Sequence, residues 1–368
     1  MGDQRVPPGA LGDVRGRAIF WVNIPIAIIA LILIAIAKPE NNPRPARLDY
    51  RGLVLIVLGM GLSVFGFQQA SVWGWDSIAT WGCIVDGVAL LLVFSRIETR
   101  TDEPLIRVNI FKVRAFAAEN AVLFFSMIAF IPVFFFASMY SQIALGQSVS
   151  EAGLYLLTFF AGFAVASQFG GRILDKTGAK PAVVVGCAIG AVGFALWGSE
   201  LTALDYSSQW YFIVLAGAGI GLMLGPANTD AINRAPRANY GEVSGITQTV
   251  RNYGSSLGLA VLGTILINEN RANVESSMAR FDLPKAKADA IAQSLTQSGG
   301  GSRDAGFSKH AGAKAAEIFH AVQFDFAQAT KVVFFIMAGC LAVAAVIALV
   351  GLRSGRQEAL IDEPAPQS

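Results

Sequence analysis

Four ionisable residues lie in or beside long apolar runs, where a charge is costly unless it serves a purpose. Asp86 lies near the middle of one run, and Asp230 closes the segment Gly225–Asp230 at the end of another. Arg251 lies about two turns into a third run, after Glu242. An ionised side chain at the centre of a bilayer costs about 2.5–3.5 kcal/mol, so such residues are functional candidates by default. We predict proton coupling or gating at these four positions.

Each candidate also has a structural interpretation. The alternative for Asp86 is that it faces another helix and simply stays protonated. Pro226 breaks the helix ladder, and Asn228, Thr229 and Asp230 are expected to offer a polar lining for gating or proton entry. The alternative is that Asp230 is a solvated helix end. Arg251 is close enough to the end of its run to snorkel into water, or to pair with Asp230 or Glu242.

A second candidate is the short turn Gly171–Lys180 between two apolar runs. Arg172 and Asp175 stand three residues apart and are predicted to latch one helix end against another. Gly178 permits a tight reversal of the chain. The alternative is an ordinary basic turn without a latch.

The remaining polar residues show no enzyme chemistry. Glu119 and Glu151 fall near helix starts, where exposure at the membrane interface or the helix dipole explains them. His310 and His320 are ten residues apart, which is not a metal-ligand spacing. Because Gly-x-x-x-x-Gly-Lys, His-Glu-x-x-His and Gly-x-Ser-x-Gly are all missing, we predict no enzyme, catalytic residue, cofactor or metal.

The composition explains where these residues lie. The chain is 54% hydrophobic and 15% charged, whereas soluble domains carry about 25% charged residues. A helix needs an apolar run of about 18–25 residues to cross a bilayer. About nine runs of this kind occur, at 18–37, 52–70, 77–97, 116–140, 150–171, 181–199, 209–230, 244–268 and 330–352.

The connectors between these spans alternate in charge. One set carries Lys and Arg, including Arg96, Arg114, Arg172 and Arg353, whereas 71–76, 141–148 and 200–209 carry neither. The positive-inside rule places the basic set in the cytoplasm. The C-terminus is therefore expected inside the cell.

The connector 269–329 is long and is expected on the outside. Its Ala-rich stretches Lys285–Leu295 and Ala311–Phe326 are predicted to be amphipathic helices at the membrane surface. Glycines at four-residue steps inside three spans predict close helix packing in a moving bundle: Gly186 and Gly190; Gly217, Gly221 and Gly225; Gly254 and Gly258.

Several motifs resemble the fourteen-helix drug–proton antiporter branch of the major facilitator superfamily. Gly171–Lys180 follows the loop motif G-x-L-x-D-x-x-G-x-[KR] of that superfamily. Further matches occur in the right order: Ala18–Pro25, Arg47–Asp49 with Gly52, Tyr140–Gln142, Gly146–Ser148, Glu151–Gly153, and Gly241–Gly254 with Gly258, Gly263 and Thr264.

The resemblance implies an all-α polytopic membrane protein with a major-facilitator-like bundle. If Ile19–Ala37 corresponds to the sixth helix, the first five helices are lacking from this sequence. The family's Trp–Arg pair is replaced at Gly16–Ala18, and a usual proline is missing at Leu156–Phe160. In such transporters the substrate path runs between two six-helix halves. A truncated product, a wrongly assigned start and a fragment complemented by another chain are alternatives.

The predicted organisation has five parts. These are a tail at 1–17, the last helix of an incomplete N-terminal bundle at 18–37, two accessory helices with loops at 38–114, a C-terminal six-helix bundle at 115–352, and a cytoplasmic tail at 353–368.

The predicted function is proton-coupled efflux of hydrophobic or amphipathic compounds across a bacterial inner membrane. A non-transporting remnant or scaffold and a permease for one metabolite are the alternatives. Predicted partners are the lipid bilayer, a small hydrophobic substrate, protons and, as one option, a periplasmic adaptor protein. Nucleic acid is not expected, because the net charge is only +2.

Overall fold

The computed structural model describes residues 8–37, 49–101, 104–233, 240–280 and 315–355, which fold mainly into helices. The chain divides into two compact units, Met1–Leu48 and Asp49–Ser368. The first unit contains helix α1, Pro8–Ala37. Its apolar stretch Asn23–Ala37 covers most of the predicted span 18–37 but is shorter than a full span.

In the part of the second unit that the structure describes, eight long helices occur, and each is long and apolar enough to cross a membrane. They are α2 Tyr50–Trp73, α3 Ile78–Glu98, α4 Arg114–Ile143, α5 Val149–Thr177, α6 Ala179–Glu200, α7 Trp210–Asn233, α8 Tyr240–Arg280 and α9 Ala315–Gly351. Each overlaps one of the predicted spans, so the predicted all-α polytopic fold is confirmed.

Helices α2 and α3 form an antiparallel pair beside the six-helix bundle of α4–α9. Asp49 caps α2, because its Oδ1 accepts hydrogen bonds from the backbone N–H groups of Arg51 (2.9 Å) and Gly52 (3.0 Å). The pair is attached to α8 by the hydroxyls of Ser63 and Tyr253, 2.9 Å apart. These contacts position the two accessory helices predicted within 38–114.

The bundle has a basic end and an opposite end. At the basic end α4 and α6 begin, α5 and α7 end, and the Arg114 guanidinium donates to the carbonyl of Val350 near the end of α9. Three connectors at the opposite end, 74–77, 144–148 and 201–209, contain no Lys or Arg, whereas the long connector 281–314 contains both. The two ends therefore differ in charge as the sequence predicts.

Within the bundle, α7 packs between α5 and α6, and α4 packs against α8 and α9. A Cβ atom at Gly254 or Gly258 would lie 2.7 Å from the carbonyl oxygen of Phe124 or Ile128, so α8 approaches α4 closely. The predicted glycine packing is confirmed here, at Gly186, Gly217 and Gly221, and more loosely at Gly190. Gly225 differs, because no atom lies within 4 Å of its Cβ position.

Helices α8 and α9 are longer than the sequence predicts. At 41 and 37 residues they reach about 60 and 55 Å, whereas the hydrocarbon core is about 30 Å thick. The prediction of a separate surface helix over Ala311–Phe326 is wrong, since residues 315–326 are the first part of α9. Lys285–Leu295 lies outside the described residues.

Beyond the opposite end, the extensions of α8 and α9 pack against each other. The Ser277 hydroxyl donates to Asp325 Oδ1 at 2.9 Å, and Val274, Ile318 and Val322 are buried. This burial explains why the polar sequence after residue 268 remains helical.

Candidate functional site

The turn between α5 and α6 is a single residue. Helix α5 ends at Thr177 and α6 begins at Ala179, and Gly178 joins them with φ +91° and ψ 177°. This backbone region is accessible essentially to glycine only. The Gly178 N–H also donates to the carbonyl of Leu174 at 3.0 Å, which closes the last turn of α5. The predicted tight reversal is confirmed.

The charged residues of this turn lie at the surface of the basic end. Arg172 is exposed, and its guanidinium lies 5.8 Å from the centre of the Phe169 ring. Asp175 is also exposed, Lys180 is half-buried, and Gly171 has no atom within 4 Å of its Cβ position. The latch between Arg172 and Asp175 stays a prediction.

Asp86 lies on the exposed side of α3. The next residue, Gly87, makes the contact with α2, since a Cβ atom there would lie 2.5 Å from the backbone nitrogen of Ser63. Within residues 49–355 that the structure describes, Asp86 therefore does not face the neighbouring accessory helix. Its predicted role in proton coupling remains untested.

Glu242 ties the first turn of α8 to the connector before α4. Its carboxylate accepts from the Arg107 backbone N–H at 3.1 Å and lies 3.6 Å from Arg107 Nε. Nine residues of α8 separate Glu242 from Arg251, which is about 13 Å along a helix axis. The alternative that Glu242 pairs with Arg251 is therefore wrong.

Asp230 is fully buried in α7. Pro226 cannot donate a backbone hydrogen bond and so interrupts the ladder, but α7 continues through it to Asn233. Packing on both sides by α5 and α6 holds the helix together where its backbone hydrogen bonding is weakened. Asp230 is thus an interior residue and not a solvated helix end.

Arg251 bridges α8 and α7. Its Nη1 donates to Asn228 Oδ1 at 3.4 Å and to Gln248 Oε1 at 3.3 Å, and Asn228 lies two residues before Asp230. Its buried Nε has no hydrogen-bond partner among the described residues. The predicted pairing with Asp230 stays a prediction, although both side chains lie in the same part of the bundle.

Other polar side chains lie at the depth of Arg251. The side chains of Asn120 and Thr247 are 2% and 1% exposed, and Asn120 Oδ1 and Thr247 Oγ1 lack hydrogen-bond partners among the described residues. Glu119 is fully buried. We define the basic-end polar layer as Glu119 and Asn120 of α4, Asn228 and Asp230 of α7, and Thr247 and Arg251 of α8.

The interpretation of Glu119 as an interface residue is wrong. Although it lies in the second turn of α4, the residues around it are enclosed by α6, α7 and α9. A signal was present in the sequence, because Glu119 shares a helix face with the apolar residues Phe116 and Val122 and with Ser126. Glu151 differs, since it is exposed and forms a capping box with Ser148.

A second polar cluster lies at the opposite end, and sequence reasoning missed it. Tyr140 donates to the carbonyl of Leu201 (2.6 Å), and Gln209 Nε2 donates to Tyr140 Oη (2.8 Å). Tyr155 donates to Gln209 Oε1 (2.8 Å), and Trp197 Nε1 donates to Tyr155 Oη (2.9 Å). We call Tyr140, Tyr155, Trp197 and Gln209 the Gln209 network.

One face of α8 remains open and polar. Gln248, Asn252 and Ser256 recur at four-residue steps and are all exposed, and Gln248 Nε2 donates to Asn252 Oδ1 at 3.0 Å. Helix α4 covers the neighbouring face at Gly254, and α2 covers another at Tyr253. A row of uncovered amides and hydroxyls within a span suits a face that borders water or protein better than one that faces lipid.

Comparison with known proteins identifies the family of this helical membrane chain. The family model of the Major Facilitator Superfamily matches residues 8–259, more than half of the chain. A tetracenomycin C resistance and export protein from Streptomyces glaucescens is 27% identical over 278 residues, which cover 74% of this chain and 51% of that protein. The multidrug resistance protein Stp from Mycobacterium tuberculosis is 27% identical, with 74% and 51% covered.

The lincomycin resistance protein LmrB from Listeria monocytogenes is 26% identical over 273 residues, which cover 73% of this chain and 57% of that protein. The chain spans about half the length of the curated relatives it matches. The match extends from α1 into α8, so it includes the Gly171–Lys180 turn and the whole basic-end polar layer. The chain therefore belongs to the major facilitator superfamily, a family of membrane transporters and not of enzymes.

Proposed function

We propose that this chain is part of a secondary active transporter that exports hydrophobic or amphipathic compounds in exchange for protons. The names of its relatives, which refer to drug resistance and export, support the direction and the substrate class. We infer from the positive-inside rule that the basic end and the C-terminus lie in the cytoplasm. As part of the same proposal, we place the protein in a bacterial inner membrane.

The open polar face of α8 is the observation that carries the proposal. Gln248, Asn252 and Ser256 offer hydrogen-bonding groups within a membrane span, where an unsatisfied polar group in contact with lipid costs several kcal/mol. In transporters of this kind the substrate path runs along such faces near the middle of the bilayer. In the proposed cycle this face borders the path.

Aromatic side chains between α4 and α5 support an apolar substrate. The rings of Phe134 and Phe160 stack with centres 5.0 Å apart, and those of Phe130 and Phe163 with centres 5.7 Å apart. Phe160 is exposed, and the other three are partly exposed. Flat, partly exposed rings offer large apolar contact area to many ligands.

Proton coupling is assigned to the basic-end polar layer. It combines the buried carboxyl of Asp230 with the guanidinium of Arg251, and buried ionisable groups in membrane spans commonly mark proton pathways. Arg251 contacts α7 through Asn228, so movement of α8 against α7 would change the charge beside Asp230.

Transport is tested with the full-length protein in inverted membrane vesicles. We expect a proton gradient to drive accumulation of ethidium, and collapse of the gradient to release it. Arg251→Gln should reduce ethidium accumulation about tenfold, because the coupling free energy between two sites typically corresponds to a factor of this order. Arg271→Gln is the matched control, since Arg271 is exposed on the extension of the same helix.

Accumulation equal to that of vesicles from cells with an empty vector, for ethidium and for a broad panel of dyes, would contradict the proposal. That result would favour the alternative of a membrane protein without transport activity. A narrow response to a single hydrophilic metabolite would favour the alternative of a specific permease.

A further inference from the structure

Glu119 is a buried carboxyl that the predicted set of coupling residues does not include. It is fully buried in α4, about 7 Å along the axis from the first residue of the helix. Its position is therefore inside the bundle, close to the solvent at the basic end. A carboxyl so placed can exchange protons with one side of the membrane without facing lipid.

The contact between α4 and α7 places Glu119 level with Asp230. The Ser126 hydroxyl lies 3.3 Å from the sulfur of Met223, which joins the two helices at one depth. Glu119 precedes Ser126 by seven residues, and Asp230 follows Met223 by seven. Seven residues are about two turns, so each carboxyl lies on the contacting face of its helix, about 10 Å toward the basic end.

The contact between α4 and α8 places Arg251 at the same depth. Gly254 packs against Phe124, Gly258 against Ile128, and Ile246 lies in one apolar cluster with Phe116, so the two helices run parallel in constant register. In that register Arg251 lies beside residue 121, about 3 Å from the level of Glu119.

The groups around Glu119 come from every helix packed against this part of α4. The Cys187 thiol of α6 lies 3.4 Å from the Met223 sulfur, at the level of Ser126 and about two turns from Glu119. Among the described residues, the other titratable or charged groups near this depth or at the adjoining helix ends include Asp230, Arg251, Arg114, Lys180, Glu242 and Arg353. Glu119 and Asp230 are carboxyls on two sides of the layer. Of the cations in the described part of the chain, two lie near their depth: Arg251, and Lys180, which precedes Cys187 by seven residues.

We propose that Glu119 binds and releases a proton in the transport cycle, with Arg251 and Asp230 at the same depth controlling its charge. The proposal rests on the proposed function, since it names a proton-binding residue of that same site. The carboxylate takes one proton from solution when Arg251 is withdrawn and returns it when Arg251 approaches. Burial favours the neutral form of a carboxyl, and a nearby guanidinium favours its charged form. Glu119 therefore holds its proton while Arg251 is distant and loses it when Arg251 is near.

The full-length protein in proteoliposomes separates this role from a structural one. For Glu119→Gln we expect ethidium accumulation driven by a pH gradient to fall about tenfold, while exchange of ethidium at equal pH stays within about twofold of the unmodified protein. Glu119→Asp keeps a titratable group and should recover part of the driven accumulation. Glu269→Gln, at an exposed position of α8, is the matched control and should leave both rates unchanged.

Two results would overturn the inference. One is driven accumulation by Glu119→Gln equal to that of the unmodified protein. The other is loss of both driven accumulation and exchange in Glu119→Gln and Glu119→Asp alike, which would make Glu119 a structural residue. If the unmodified protein shows no accumulation driven by a pH gradient, the proposed function fails, independently of Glu119.

Discussion

The six-helix bundle buries polar side chains at both of its ends, but the two sets are paired to different degrees. In the Gln209 network each hydroxyl, amide and indole group has a partner at 2.6–3.3 Å, including the bond from Gln209 Nε2 to the carbonyl of Glu200. In the basic-end polar layer, Asn120 Oδ1, Thr247 Oγ1 and Arg251 Nε have none among the described residues.

The difference separates structural from functional polar burial. A fully paired network in a low-dielectric interior strengthens itself and selects one arrangement of the helices that carry it. An unpaired buried polar group costs about 1–3 kcal/mol and is usually retained for a reason other than stability. We therefore interpret the Gln209 network as the fixed part of the bundle and the basic-end polar layer as the part that rearranges.

The largest expected effect comes from breaking the fixed part. Gln209→Leu removes the acceptor of the Tyr155 hydroxyl and two donors, so unfolding should become easier by about 3 kcal/mol. Thermal unfolding of the full-length protein in detergent measures this. Gln168→Leu is the matched control, because Gln168 is exposed on α5. Equal unfolding temperatures for the two variants would remove the distinction between the two ends.

The second effect concerns the contact that aligns the basic-end polar layer. Gly254→Ala places a Cβ atom 2.7 Å from the Phe124 carbonyl oxygen and should destabilise the bundle by about 2 kcal/mol through overpacking. Gly263→Ala is the control on the same helix, since the nearest atom there lies at 4.0 Å. Thermal unfolding of both variants checks the prediction, and tolerance of Gly254→Ala would contradict the close α4–α8 approach.

A third prediction concerns the hydrogen bond between Ser63 and Tyr253, which lies near the basic-end polar layer. Tyr253→Phe removes the hydroxyl that contacts Ser63 and should lower the free energy of unfolding by about 1 kcal/mol. Tyr211→Phe, at an exposed tyrosine of α7, should leave it unchanged. If both variants unfold alike, the α2–α8 contact contributes nothing measurable to stability.

The smallest effect on stability is expected inside the layer itself. Asn120→Leu removes an oxygen that has no partner in the described part of the chain and one hydrogen bond to the Phe116 carbonyl, so stability should change by less than about 1 kcal/mol. Dye accumulation in vesicles should nevertheless fall clearly. A destabilisation as large as that of Gln209→Leu would mean that both ends are equally structural.

Much of the fold could be predicted from the sequence. The span predicted at 77–97 is observed as Ile78–Glu98, and that predicted at 181–199 lies within Ala179–Glu200. Hydropathy identifies such spans because lipid excludes charges along the whole helix. The ends of α8 and α9 could not be predicted this way, because pairing of Ser277 with Asp325 stabilises polar helix outside the apolar run.

The candidate site could be predicted in part. Asp230 and Arg251 stand out because they interrupt apolar sequence, and Asn228 could be identified beside them. The burial of Glu119 is only weakly indicated, by the apolar residues on its helix face, because a carboxyl near a helix start is usually exposed; the packing of α6, α7 and α9 around this part of α4 buries it.

The sequence by itself determined the positions of the spans, the charge difference between the two ends and the family. These depend on properties of neighbouring residues, which hydropathy, charge and short motifs record. Only the tertiary structure decided which polar groups meet. Gln209 and Tyr140 are 69 residues apart in the chain, and Arg251 and Asn228 are 23 apart. Whether such groups are paired depends on the register of packed helices, which is a property of the whole bundle.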